Sequence, residues 1–366
     1  MKKSLIFAAM ACIAFASCTE DEITSTNLNQ EREISFSSPY VGKTTRAVYQ
    51  EMDNPYNATE EFNVFAVWHK TEFSGWENGS LYMDDAVTTY DRSFNGWRPN
   101  ERYYWPKNGY LTFAAYSPSG AVPAENAHYA ADGLTLVGFQ TAADNEKHVD
   151  LMYSQRSYNK KKTDDNNANT NTPYDQVDID FKHALSSIHF TAKLDNAYTG
   201  TEITLKKISI YGVYTQADFK ENVDESTPGT YASEPTWINH GAYNQTLPAH
   251  SAYVYYEGDQ LLSDAQWVMK DVRGQTDIIA LPQDLPASAE IMVEYTIDSP
   301  GNTTPAIDQV NIVKINGLTT TEWLPGKRYI YNMIFGFDEI YFAPEILDWE
   351  AAADTDVEIK GENYYQ

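Results

Sequence analysis

The chain reads as an all-β protein built of β-sandwiches, and three observations predict this. Aromatic residues are abundant, with 27 Tyr, 15 Phe and 8 Trp among 366 residues, and such side chains favour half-buried pleated surfaces. Apolar and polar residues alternate with period two in many places, whereas no long stretch repeats at helical spacing. Turn dipeptides separate the alternating runs: Asn-Gly at 78–79, 95–96, 108–109 and 316–317, and Pro-Gly at 228–229, 300–301 and 325–326. Many short strands without a strand–helix–strand rhythm imply packed antiparallel sheets.

The first segment is an export signal. Lys2 and Lys3 make a positive start, residues 4–15 are apolar, and Ala16-Ser17-Cys18 supplies the small-small-cysteine pattern cut by a lipoprotein peptidase. The apolar run is too short for a membrane-spanning helix. Cys12 competes as the lipid-bearing residue, but it would leave an apolar run of only about eight residues. Cys18 is therefore assigned as the lipidation site. Removing residues 1–17 and acylating Cys18 uses both cysteines of the chain, so no disulfide is expected in an oxidising compartment. Several acyl chains on one cysteine anchor a protein to a membrane for practical purposes permanently.

Residues 19–30 (TEDEITSTNLNQ) form a polar tether. Residues 33–40 (EISFSSPY) alternate and put Ile34, Phe36 and Tyr40 on one face. The basic, flexible stretch GKTTRA at 42–47 follows, and in it the Arg46–Ala47 bond is an attractive protease site. Half-buried strands are expected at 62–68, 110–116, 188–194, 203–211, 252–256, 291–297, 310–315 and 329–335. Residues 159–175 are polar and low in complexity, as in a surface loop. The strand-like run 177–194 then closes a first sandwich. The expected organisation is a signal peptide at 1–17, a lipidated tether with a first strand at 18–46, an N-terminal sandwich at 47–196 and a C-terminal sandwich at 197–366. A cut inside 160–175 is the alternative.

The formal net charge is −26. Such acidity argues against nucleic-acid binding and against adsorption to anionic lipid, and it favours a soluble, mutually repelling surface. The seven histidines include no i,i+4 pair, and His183 and His189 flank one expected strand as satisfied or solvent-facing residues. The oxygen-rich cluster at 164–171 departs from a calcium loop, because Thr170 stands where glycine is required and Gln176 where the closing glutamate belongs. No nucleophile elbow, phosphate loop or dinucleotide fingerprint occurs. No catalytic residue, metal site or cofactor is assigned, and the chain does not read as an enzyme.

Several segments together are similar to one family. They are Ala16-Ser17-Cys18, Ile34-Ser35-Phe36 followed by Thr45-Arg46-Ala47, Phe62-Asn63-Val64-Phe65-Ala66, Tyr103-Tyr104-Trp105-Pro106 and LTFAAYSP at 111–118. Asp150-Leu151-Met152-Tyr153, FKHALS at 181–186, ISIYGV at 208–213, WLPGKRYIY at 323–331 and Ile346-Leu347-Asp348-Trp349 complete the series. In this order the chain resembles the fimbrillin-like pilins of type V pili, lipoproteins of Gram-negative anaerobes. The resemblance implies two tandem transthyretin-like, immunoglobulin-like β-sandwiches, delivery to the outer-membrane surface and a place in a fimbrium. It also implies cleavage after Arg46 by an arginine-specific protease, which releases the first strand with Ile34, Phe36 and Tyr40. Another subunit's strand would refill the vacancy by β-strand addition. The donor is expected in the C-terminal region, where Ile340/Phe342, Leu347/Trp349 and Val357/Ile359 form alternating pairs.

The leading reading is thus a structural, tip or accessory subunit of a surface fimbria. Its partners are other pilin subunits, the outer membrane through the lipid, and ligands on host or bacterial surfaces. The alternative is a monomeric surface lipoprotein that binds glycans or host ligands through exposed aromatic residues.

Overall fold

The computed structural model describes residues 33–37, 39–41, 61–73, 79–93, 96–130, 133–142, 147–154, 156–161, 176–223, 234–243, 253–269, 277–301, 303, 305–318, 320–336 and 339–349. Among the described residues the regular structure is almost entirely strand, and a short 3-10 turn lies at Ala124–Asn126. All eight expected strands are present, from Phe62–His69 to Lys327–Phe335.

The largest sheet closes on itself. From Gly96–Pro99 it runs through Gly79–Asp91, Phe62–His69, Tyr110–Ser117 and Met152–Ser154 to Asp180–His183. The N-terminal pieces Ser35–Phe36 and Tyr40–Val41 complete the ring. Phe36 is registered against Trp97 on one side and Val177 on the other, while Val41 is registered against Phe181. Alternation sends every second side chain inward, and Ile34, Phe36, Phe62, Val64, Trp97, Phe113 and Phe181 fill the interior.

Residues between those inward positions point outward and meet a second sheet. That sheet is ordered Thr236–Tyr243, Tyr214–Lys220, Gly133–Gln140, Ala127–Ala130. Phe65, Val67, Ala114 and Tyr116 on the ring pack with Leu136, Phe139, Phe219 and Trp237 on the covering sheet. A third core lies between two further four-stranded sheets. One is ordered Ile278–Ala280, Ser186–Leu194, Lys327–Phe335, Ile340–Asp348, and the other Tyr253–Leu261, Glu202–Tyr211, Glu290–Asp298, Ile307–Lys314. Phe190, Ile208, Tyr253, Ile291, Trp323 and Tyr331 are among its buried residues.

Core membership does not change over at residue 196. The strand-like run 177–194 breaks at Ala184 and Leu185, so that Asp180–His183 stays in the ring while Ser186–Leu194 enters the third core. Tyr214–Lys220 and Thr236–Tyr243, although beyond 196, pair with each other and build onto Gly133–Gln140. The break follows from hydrogen bonding: the Ala184 N–H donates to the Leu151 carbonyl at 2.8 Å, whereas the Leu185 carbonyl accepts from the Gly326 N–H at 2.8 Å. Adjacent residues thus commit to different neighbours.

Candidate functional site

The N-terminal strand is short, yet it is tied in along its whole described length. Ile34 and Phe36 are buried, at 1% and 0% exposure. The Phe36 ring meets Phe62 at 5.9 Å and Phe113 at 5.8 Å, both edge-on, the arrangement that aromatic quadrupoles favour. The Ile34 N–H donates to the Tyr103 carbonyl at 2.8 Å, and the Ser37 N–H donates to the Val177 carbonyl at 3.0 Å. The Ser37 hydroxyl donates to the Asp178 carboxylate at 2.8 Å.

Charge pins the start of the strand. Arg98 reaches the Glu33 carboxylate at 3.3 Å and also pairs with Asp91, and Arg102 pairs with Glu33 as well. Hydrogen bonds from Ser93, with the Arg98 guanidinium beside it, hold the Asp91 carboxyl down at about 2. Asp91 therefore stays charged and keeps Arg98 in place.

At the other end, Tyr40 and Val41 run parallel to Asp180 and Phe181. Cys18, Arg46 and Ala47 lie outside the described residues, as does the cluster at 164–171.

The C-terminal candidates divide into two groups. Ile340, Phe342 and Leu347 belong to Ile340–Asp348, which pairs antiparallel with Lys327–Phe335 over its full length. Ile340 and Phe342 pack against the third core, so these residues are already held within the subunit. Trp349 stacks on His183 at 4.0 Å with 9° between the planes, and its N–H donates to the Gly326 carbonyl at 2.9 Å. His183 in turn lies 2.9 Å from the Asp150 carboxylate. Trp349 thereby carries the end of the chain's last described strand back to the ring, beside Asp180–His183. Val357 and Ile359 lie outside the described residues.

Two buried polar networks had no signal in the sequence. Asp277 accepts from His189 Nδ1 at 2.8 Å and from Arg328 Nε at 2.8 Å, and it also accepts from the Ser187 hydroxyl. Burial alone would raise the Asp277 carboxyl, but the His189 hydrogen bond and the Arg328 guanidinium hold it below its ordinary value. Arg156 and Glu221, at 3% and 5% exposure, lie 3.6 Å apart, with the guanidinium 5.0 Å above the Tyr129 ring. The partners in each network are distant in sequence, so no spacing rule could have joined them. Both networks sit within the strand framework. No group of three or more His, Cys, Asp or Glu residues suited to a metal occurs among the described residues.

Among solved structures, the chain is similar to a fimbrial protein from Bacteroides vulgatus, with 17% identity, a TM-score of 0.50, and coverage of 87% of this chain and 99% of that one. It is also similar to a provisionally named cell adhesion protein from Bacteroides uniformis, with 17% identity, a TM-score of 0.46, and coverage of 87% and 98%. For the fimbrial anchor protein Mfa2 of Porphyromonas gingivalis the identity is 12%, the TM-score 0.29, and the coverage 87% and 98%. The first of these likenesses supports the fold; the other two carry no further weight. No curated protein matches the chain. The fimbrillin-like family profile matches residues 45–349, most of the sequence and nearly all of the described strands. The chain belongs to the fimbrillin-like family, whose members are structural and adhesive proteins of the cell surface rather than enzymes.

Proposed function

We propose that this fimbrial subunit is exported as a lipoprotein through Cys18 and assembles by exchange of its N-terminal strand after cleavage at Arg46–Ala47. The observation that carries the reading is the way residues 33–41 close the ring. They form a separate segment inserted between two strands, with Phe36 fully buried, and Arg46 follows five residues after Val41. Removing such a segment frees backbone groups on both sides and opens an apolar slot. A strand from another subunit fits that slot by β-addition, and a head-to-tail contact of this kind propagates a fibre.

The donor is drawn from the C-terminal end. Ile340, Phe342 and Leu347 would have to leave a fully paired strand to serve, at the cost of its hydrogen bonds and core contacts. Val357 and Ile359, beyond Trp349, carry the donor role in this proposal. Outer-membrane delivery and the two-sandwich division into 47–196 and 197–366 belong to the same proposal, with Ser186–Leu194 exchanged for Tyr214–Lys220 and Thr236–Tyr243 between the two cores.

Treating the purified precursor with an arginine-specific protease tests the mechanism. N-terminal sequencing should then begin at Ala47, and negative-stain microscopy should show filaments that an Arg46→Ala precursor does not form. A precursor that is cut at Arg46 and stays monomeric under assembly conditions refutes strand exchange.

A further inference from the structure

A shallow open cleft of about 340 Å³ lies at the end of the ring away from Trp349, lined by Trp68, Ser80, Leu81, Tyr82, Pro106 and Asn108. The strand register fixes that position. Trp68 faces Leu111 at one end of the Phe62–His69 and Tyr110–Ser117 pair, whereas Ser117, Met152 and His183 follow one another across the other end.

The walls are held rigid from behind. The Trp68 indole N–H donates to the Asn108 carbonyl at 2.8 Å, and the Tyr82 hydroxyl donates to the Tyr104 carbonyl. Gly109 allows the 106–109 turn to lie this close. Its φ of +88° favours glycine, and a Cβ there would come within 2.6 Å of the Trp68 indole nitrogen. With their polar tips engaged internally, both aromatic side chains offer ring surface to the cleft. Leu81, 46% exposed, and Pro106 extend that apolar floor. The Asn108 amide and the Ser80 hydroxyl stand exposed on the rim and make no side-chain hydrogen bond among the described residues.

Ring faces beside an unengaged amide and hydroxyl suit a ligand with one C–H face and an edge of hydroxyls, which is the chemistry of a pyranose. Local charge selects within that class. Burial, with the exposed carboxylates of Glu101 and Asp84 beside it, pushes the phenol of Tyr103 up, 6.4 Å from the Tyr82 ring. Neither these carboxylates nor Lys107 of the turn lines the cleft, and around it the two acids outnumber that one base, in a chain whose net charge is −26. An anionic sugar is repelled there, whereas a neutral one pays no such penalty.

We infer that this cleft is a binding site for an uncharged hexopyranose at the exposed end of a glycan. The inference goes beyond the fimbrial reading and does not depend on strand exchange, since sugar binding is read on the unassembled precursor.

The test is titration of the full chain with methyl β-galactoside, methyl α-mannoside, N-acetylglucosamine and 3′-sialyllactose, followed by tryptophan fluorescence and calorimetry. At least one neutral sugar should bind saturably, with a dissociation constant of roughly 0.1–10 mM, the range of a few shallow contacts. Asn108→Asp and Leu81→Asp are exposed substitutions that leave the core untouched, and each should weaken that binding about tenfold or more. Tyr82→Ala should abolish it, and 3′-sialyllactose should bind no better than about tenfold more weakly than the neutral sugar. The proposal is overturned if no neutral sugar saturates the protein, if both exposed variants bind like the parent, or if 3′-sialyllactose binds equally well.

Discussion

Asp277 shows how one side chain can tie several strands. It stands just ahead of Ile278–Ala280 and accepts from His189 on Ser186–Leu194 and from Arg328 on Lys327–Phe335. Because its native carboxyl is held below the ordinary value, its contribution to stability is fully present above the unfolded-chain pKa of about 4. That contribution is lost as pH falls through the lower folded value. Asp277→Asn should therefore cost about 3 kcal/mol near neutral pH, because it leaves Arg328 buried beside a neutral amide. The difference between parent and variant should shrink below about pH 4. Denaturant midpoints measured from neutral to acidic pH check both statements. Nothing in the sequence marked Asp277, since a carboxylate is ordinary in so acidic a chain and its partners lie 88 and 51 residues away. Phe36, by contrast, was legible from its neighbours alone. The alternation of residues 33–36 puts it on one face with Ile34, and both side chains are buried in the ring.

At the scale of elements, legibility followed the clarity of the alternation. Phe62–His69 and Tyr110–Ser117 were plain because their runs of apolar and aromatic residues are long. Gly79–Asp91 was not, although it is the longest strand of the ring. Its pairing slips beside Ala66, and Asp85 takes a φ of 49°, so the two-residue rhythm is broken where an acidic pair interrupts it. Tyr214–Lys220 was hidden for a different reason: its burial alternates strictly, but the inward residues are Thr215, Ala217 and Phe219, of which only the last is large and apolar. The N-terminal strand offers a direct test at this scale. Ile34 and Phe36 together account for about 3–6 kcal/mol of burial, so a protein from which residues 1–46 have been excised should bind a hydrophobic dye strongly. A synthetic peptide of residues 33–41 should reverse this, and its Phe36→Ala version should bind about a hundredfold more weakly. Fluorescence titration of the excised protein measures all three outcomes. Trp349 is the complementary case. The alternation of 347 and 349 was visible, but its stacking on His183 depended on two sheets meeting.

Across the whole molecule, the relevant quantity is charge. Segment 1–46 carries five acidic and five basic residues, so the excised subunit keeps the net charge of −26. Like-charged subunits repel one another during association, and salt screens that repulsion over about 10 Å at 0.1 M. Filament growth after cleavage should therefore speed up as ionic strength rises from about 10 mM to about 150 mM. Light scattering against time follows it, and a growth rate that falls with salt would mean that attractive charge pairs dominate the contact.

The sequence by itself determined the all-β character, the positions of eight of the longer strands, the alternation that buries Ile34 and Phe36, and the net acidity of the chain. Each of these is local, since alternation over two residues sets which side chains share a face, and composition sets the charge. Only the tertiary structure decided which strands pair. It closed residues 33–41 between Gly96–Pro99 and residues 176–183, sent Ser186–Leu194 to one core and brought Tyr214–Lys220 to another. Pairing joins edges that lie far apart along the chain, and an apolar face is equally satisfied by any partner of matching shape until all the sheets are assembled together.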